Sequence, residues 1–276
     1  MRIWMITGAN RGIGLHIARA ALEAGDSVVV TGRDLAKLRQ AFDGYEPSRV
    51  LPLEVDITSA DKINTAVETA INTFGKIDIL VNNAGYGQLG PFEENSPTDI
   101  ERQFETNVFG LFNMCRAVLP VMRHNRRGHI FNIASIAGLV GMPGASVYSA
   151  SKFAVAGFSE SLAQEVFGFG VKVTLVAPGA FRTDFLDASS AQFGSEQLSE
   201  YQDFSNKIRS SSASHNHNQQ GDPEKLGKAL VKLALNANAP LRFMAGTDAF
   251  NLAESRFHAR EEEAQRWKEL TCSTNA

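Results

Sequence analysis

The stretch Thr7-Gly8-Ala9-Asn10-Arg11-Gly12-Ile13-Gly14 follows the apolar run Ile3-Trp4-Met5-Ile6 and opens a segment, Ile13 to Ala24, whose apolar residues recur at helical spacing. Strand, glycine-rich turn and helix in that order form the first half of a βαβ unit. The same alternation continues outward along the chain. Strands are predicted near Arg2 to Thr7, Ser27 to Thr31, Arg49 to Leu53, Asp78 to Asn82, His129 to Ile133, Val171 to Ala177 and Leu241 to Ala245. Helices are predicted over Ile13 to Ala24, Leu35 to Phe42, Ser59 to Phe74, Thr98 to Arg123, Val147 to Phe167, Pro223 to Leu235 and Ala249 to Glu269, with Gly25, Gly75 and Gly168 or Gly170 as stops. Nearly continuous apolar strands imply a parallel sheet covered on both faces, so the expected architecture is α/β, a doubly wound seven-stranded sheet in one domain over residues 1–276. Ligands then belong beyond the carboxyl ends of the strands.

The chain has 276 residues, 43% hydrophobic and 21% charged, which excludes disorder as its main state. Twenty-seven Lys and Arg against 30 Asp and Glu give a net charge of −3, so no positive field draws in nucleic acid. The longest apolar runs are far short of the roughly 20 residues that span a bilayer, so no membrane partner is expected. Cys115 and Cys272 stand far apart with no C-x-x-C, which fits a reducing cytoplasm. One stretch breaks the rhythm: Asp187 to Gly221 is rich in Ser, Gln, Asn and Glu, and reads as a long loop, either a lid at about 185–222 or disorder. A charged extension at about 248–276 reads as a surface helix with a frayed end.

A glycine-rich turn between strand and helix binds pyrophosphate through backbone amides and the helix dipole, and glycine is needed so that the backbone can come close. Gly8, Asn10, Arg11, Gly12, Ile13 and Gly14 are therefore candidate dinucleotide-binding residues. The second strand ends Val30-Thr31-Gly32-Arg33, where a carboxylate would favour NAD by binding ribose hydroxyls and repelling a 2′-phosphate. Gly32 leaves room, Arg33 offers a planar donor fork, and Arg11 adds a second positive charge, so NADP(H) is favoured. Asp34 is the counterargument, since a strand end misplaced by one residue would put its carboxylate at the ribose.

Ser135, Tyr148 and Lys152 form a Ser-x12-Tyr-x3-Lys array, with Tyr148 and Lys152 one turn apart on a predicted helix. With the glycine turn, Asn82-Asn83-Ala84-Gly85, Asn107 and Pro178-Gly179, this array resembles the classical short-chain dehydrogenase/reductase family over roughly residues 1 to 184. The resemblance implies a Rossmann-type fold and hydride transfer between nicotinamide and a carbonyl or alcohol. It gives Tyr148 the role of general acid, Lys152 hydrogen bonds to the nicotinamide ribose, Ser135 the polarising of the substrate oxygen, and Asn107 a water linking Lys152 to solvent. It also implies cofactor contacts at Asp56, at Asn83, Ala84 and Gly85, at Pro178 and Gly179, and at Thr183. The reaction needs a proton donor within reach of the developing alkoxide, and the Lys152 ammonium is expected to bring the Tyr148 phenol down from its ordinary pKa of about 10.

Substrate contacts are sought at Ser135 and Tyr148 and at apolar positions nearby, among them Leu139, Val140, Met142, Phe181 and Phe185, which point to a small or medium apolar or aromatic ketone. The alternatives are a 3-oxoacyl-(acyl carrier protein) reductase and an NADP(H)-binding regulator without turnover. His215 and His217 have no third ligand nearby in the sequence and read as solvated lid histidines, so no metal is expected. The family resemblance implies a homodimer or homotetramer built partly on the two long helices.

Overall fold

Strand β1 (Ile3–Thr7) is buried along its whole length and divides the core by simple alternation. Ile3 and Met5 point to one face of the sheet, Trp4 and Ile6 to the other. Val29 and Leu80 repeat the first face on the neighbouring strands, and Val28, Val30, Ile79 and Val81 the second. Burying each such side chain contributes roughly 1.5–3 kcal/mol, which is why a two-sided sheet is stable here.

The computed structural model describes residues 1–275. After β1 come α1 (Gly12–Glu23), β2 (Ser27–Gly32), α2 (Leu35–Ala41), β3 (Val50–Glu54), α3 (Ala60–Phe74), β4 (Ile79–Asn82), β5 (Gly87–Leu89), α4 (Pro97–Phe104), α5 (Gly110–His124) and β6 (Gly128–Ile133). Then follow α6 (Ser146–Val166), β7 (Val171–Pro178), β8 (Ala191–Phe193), α7 (Gln202–His215), α8 (Pro223–Leu235), β9 (Arg242–Ala245), α9 (Thr247–Arg266) and α10 (Lys268–Cys272). Seven strands pair in parallel in the order β3-β2-β1-β4-β6-β7-β9, giving a single α/β domain. Helices α3, α5 and α6 cover one face, through residues such as Val67, Met114 and Val155. Helices α1, α2 and α8 cover the other, through Ile17, Leu38 and Leu230. The strand order reverses beside β1, so a crevice opens there at the carboxyl ends of β1 and β4.

Two expectations change. The helix expected over Thr98 to Arg123 is interrupted: α4 and α5 are separated by a π-helical turn, Glu105–Phe109, in which the Gly110 N–H reaches back five residues to the Glu105 carbonyl. Gly110 packs tightly against Ile57 at this turn, since a Cβ there would stand 2.8 Å from Ile57 Cδ1. The stretch Asp187 to Gly221 is neither disorder nor one long loop. It carries β8, which pairs in parallel with β5 as a separate two-stranded sheet, and the fourteen-residue helix α7. The charged tail is a surface helix as expected, helical to Cys272; residues 254–266 of α9 are exposed, and Arg260 ties the helix back to the body by donating to the Leu139 carbonyl at 2.9 Å. No helix among the described residues is long and apolar enough to cross a membrane.

Candidate active site

The glycine turn between β1 and α1 is built for close approach. Gly8 and Gly12 have φ of +64° and +55°, a region that L side chains rarely adopt. A Cβ on Gly14 would lie 2.5 Å from Asn83 Nδ2 and 2.6 Å from the Gly8 carbonyl. Arg11 stands at the N-cap of α1 with an extended backbone and gives the helix no side-chain cap, which leaves that end open to an anion. Two residues hold the turn in place. Thr7 Oγ1 accepts the N–H groups of Asn83 and Ala84 at 3.0 Å, and Asn83 Nδ2 donates to the carbonyls of Thr7 and Gly8 at 2.9 and 3.1 Å. Thr7 is not among the expected site residues, although its position as the last strand residue before the turn was the available signal.

From this turn a cleft of about 860 Å³ runs along the strand ends. Gly8, Asn10, Arg11, Gly12 and Ile13 line it, with Arg33, Asp56, Asn83, Ala84, Gly85, Pro178, Gly179 and Thr183. Gly14 lies behind the turn instead. Asp34 is engaged in a helix cap: its carboxylate accepts the Lys37 N–H at 3.0 Å at the start of α2. Asp56 stays anionic. Burial works against it, but hydrogen bonds from the Thr58 N–H and hydroxyl and the nearby Arg33 charge hold its carboxyl below the usual range. Arg11 is not a free charge beside Arg33. Its guanidinium donates to Ser189 Oγ, to the Ser189 carbonyl and to Ser190 Oγ. At the far side Asp248 accepts the Ala180 N–H at 2.7 Å and fixes the turn after β7, a contact that nothing in the sequence announced. Thr183 caps the short turn Asp184–Leu186 and faces Gly12 across the cleft.

Further along, Ser135, Tyr148 and Lys152 meet on one wall. Tyr148 and Lys152 are 8% and 5% exposed on one face of α6, and Lys152 Nζ donates to the Ile133 carbonyl at 2.9 Å. Ser135 follows β6 and its hydroxyl accepts the Ala137 N–H at 3.1 Å. Asn107 points inward from the π turn, where Oδ1 accepts the Tyr86 N–H at 3.1 Å and Nδ2 donates to the Tyr86 carbonyl at 2.9 Å. Gly85 lets these groups converge, since a Cβ there would lie 3.0 Å from Asn107 Oδ1 and 3.6 Å from Lys152 Nζ.

The electrostatic balance differs from the one expected. Burial pushes the Tyr148 phenol up to about 12, and a hydrogen bond from Ser135 pulls it only partly back. Burial likewise pushes Lys152 down to about 8. The expected lowering of Tyr148 by the ammonium is overridden because both groups are deeply desolvated.

Beyond Tyr148 the wall is apolar: Leu89, Ala137, Ala145 and Phe185 pack around its ring, and the Phe185 and Tyr148 ring centroids are 5.7 Å apart. Met142, Phe193 and Ile208 extend this lining. Leu139 and Val140 do not reach it and lie in the core instead. Phe181 borders the cleft, but its ring is largely spent against Gly221 and Gly246. His217 faces Asp187 at 3.3 Å, and Asp184 joins them with ligating atoms within 4.8 Å, so acidic partners absent from the local sequence do gather at this histidine. His215 instead bonds the Ser211 carbonyl at 2.7 Å.

The family model for short chain dehydrogenase matches residues 2–193, and the chain belongs to that family. It is 36% identical over 277 residues to the oxidoreductase BOA17 of Botryotinia fuckeliana, covering 99% of both chains. It is 40% identical over 246 residues to the 3-ketodihydrosphingosine reductase of Bacteroides thetaiotaomicron, covering 89% of this chain and 88% of that one. A short-chain dehydrogenase from Streptomyces avermitilis has the same fold with a TM-score of 0.91 at 34% identity, over the full length of both chains. The protein is thus an oxidoreductase of a family that takes NAD or NADP and acts on small molecules.

Proposed function

We propose that this protein is an NADPH-dependent carbonyl reductase acting on a small or medium apolar or aromatic ketone. The observation that carries the reading is the place of Tyr148, where the glycine-lined cradle meets a chamber walled by Leu89, Ala137, Ala145 and Phe185. The cradle fits a dinucleotide: Gly14 has no room for a Cβ, and the α1 terminus is left open to pyrophosphate. The bound nicotinamide would supply or accept the hydride.

The chain's own residues do the rest. Ser135 polarises the substrate oxygen, and Tyr148 gives it a proton. A phenol held above its ordinary range stays protonated at neutral pH, which is the state a donor needs. Lys152, held by the Ile133 carbonyl, places a positive charge beside the site and would hold the nicotinamide ribose of a bound dinucleotide. Asn107 fixes the Tyr86 backbone and stands with Lys152 against Gly85, the position from which a water would connect Lys152 to solvent. Arg33, just past Gly32 at the lip of the cleft, supports 2′-phosphate recognition, with Asp34 engaged in its helix cap.

Met142 and Phe185 give the chamber an apolar character, and the 3-ketodihydrosphingosine reductase among the relatives adds weight to a ketone on an apolar skeleton. Residues 185–222 serve as the substrate lid. We place the protein in the cytoplasm, where its exposed Cys272 thiol stays reduced, and expect a homodimer or homotetramer. The test is nicotinamide absorbance decay with NADPH and NADH in parallel over aromatic, steroidal, acyl-thioester and sugar carbonyls. Turnover with NADPH on the apolar ketones is expected; turnover confined to acyl thioesters or sugars, or none despite NADPH binding, overturns the reading.

A further inference from the structure

The guanidinium of Arg11 spans two parts of the molecule that are 178 residues apart in sequence. It starts in the phosphate turn and ends on Ser189 and Ser190, with three hydrogen bonds from its two terminal nitrogens. A planar fork with several donors suits such a two-residue hold, where a lysine would offer one point charge. Because Arg11 sits at an N-cap without capping α1, nothing within its own helix claims the side chain.

The hold reaches the chamber wall through the backbone. The Ser190 carbonyl accepts the Gly87 N–H at 2.9 Å, which starts the pairing of β5 with β8. That pairing sets Gly87 against Ala191 and Leu89 against Phe193, so the strand that Arg11 steadies brings Leu89 and Phe193 to the chamber. The Phe185 ring seals the same edge by resting on Gly87, where a Cβ would stand 3.1 Å from its Cζ.

We propose that Arg11 is a positioning residue that fastens the substrate wall to the phosphate turn, and that the 2′-phosphate is read at Arg33 without it. Substrate affinity then depends on a side chain of the cofactor turn. This rests on the beyond-Tyr148 chamber being the substrate site, but its test needs no turnover.

The experiment is hydrogen exchange of the amides of residues 187–193, together with titrations of NADP+ and NAD+, on wild type, Arg11→Ala, Arg11→Lys and the double variant Ser189→Ala/Ser190→Ala. Arg11→Ala should speed exchange in this segment about ten-fold, the loss expected for charge-assisted hydrogen bonds. Its ratio of NADP+ to NAD+ affinity should stay within about three-fold of wild type, since the phosphate-matching fork at Arg33 is intact. Arg11→Lys keeps the charge and should still lose part of the protection. The serine variant leaves the turn untouched and should speed the same amides, which separates loss of the hold from misfolding of the turn. Unchanged exchange in Arg11→Ala overturns the proposal. So does a ten-fold or greater fall in the NADP+ to NAD+ ratio, which would make Arg11 a reader of the 2′-phosphate. With a ketone in hand, a raised KM at little-changed kcat for Arg11→Ala supports the coupling, and an unchanged KM contradicts it.

Discussion

Lys152 Nζ lies 5.8 Å from the centroid of the Tyr148 ring and donates at 2.9 Å to the Ile133 carbonyl, so the ammonium is tied to the end of β6 one helical turn from the phenol. Burial pushes it from its ordinary 10.5 down to about 8. Below about pH 8 the folded protein carries the buried charge; between about 8 and 10.5 the unfolded chain keeps a proton that the folded one has released. The Lys152 contribution to stability therefore rises with pH across that window. Lys152→Met should be more stable than wild type at pH 7, and its advantage should shrink by pH 10. Thermal unfolding at both values checks this, and an advantage that grows with pH would contradict it.

His129 works at the other end of the scale. Burial, with the Lys172 charge adding to it, pushes the imidazole down to about 3, while its Nε2 bonds Thr174 Oγ1 at 2.9 Å. A histidine in the unfolded chain takes its proton near its ordinary 6.5, so this group costs stability as pH falls from there toward 3. His129→Gln should lose less stability than wild type between pH 7 and pH 5. Urea midpoints at the two values measure it, and parallel losses in the two proteins would remove His129 from the acid response.

Phe185 decides how much room the chamber offers beside Tyr148, since its ring lies between Tyr148 and Gly87. Phe185→Ala should raise KM for a small apolar ketone roughly ten-fold while favouring bulkier ones, in line with the modest discrimination that apolar pockets achieve. Dinucleotide affinity should not move. Steady-state kinetics over ketones of graded size test this; an unshifted profile would place the substrate elsewhere.

Gly14 is the position at which the cradle has least slack. Gly14→Ala sets a methyl within 2.5 Å of Asn83 Nδ2 and 2.6 Å of the Gly8 carbonyl, so either the turn or the Asn83 bracket moves. A cost of about 1–3 kcal/mol in stability is expected from overpacking, with weaker binding of both dinucleotides. Denaturation and fluorescence titration report the two effects, and undiminished NADP+ affinity would mean that the turn tolerates the shift.

The parts of this molecule that follow local rules were readable from its residues. Each strand of the seven carries its apolar run, and the glycine turn and the four-residue spacing of Tyr148 and Lys152 are local patterns whose physics acts within a turn or a strand. What escaped depends on distant partners. The π turn at Glu105–Phe109 ends at Gly110, which packs against Ile57 from a distant part of the chain, a contact that no periodicity along α4 and α5 reveals. The polar stretch after Asp187 looked like loop because β8 is only three residues long and its partner β5 lies a hundred residues earlier. The hold of Arg11 on Ser189 and Ser190 joins residues 178 apart, which no local pattern in the glycine turn reveals. Leu139 and Val140 looked like chamber residues, but the turn after Ser135 directs them into the core.

The most direct measurement compares initial rates of NADPH oxidation by wild type and Tyr148→Phe, both saturated with NADPH, on the best apolar ketone. The variant should bind NADPH and unfold as wild type does while losing roughly 100- to 10,000-fold in turnover, the range ascribed to a positioned proton donor. A variant that keeps wild-type turnover would show that Tyr148 does not protonate the substrate.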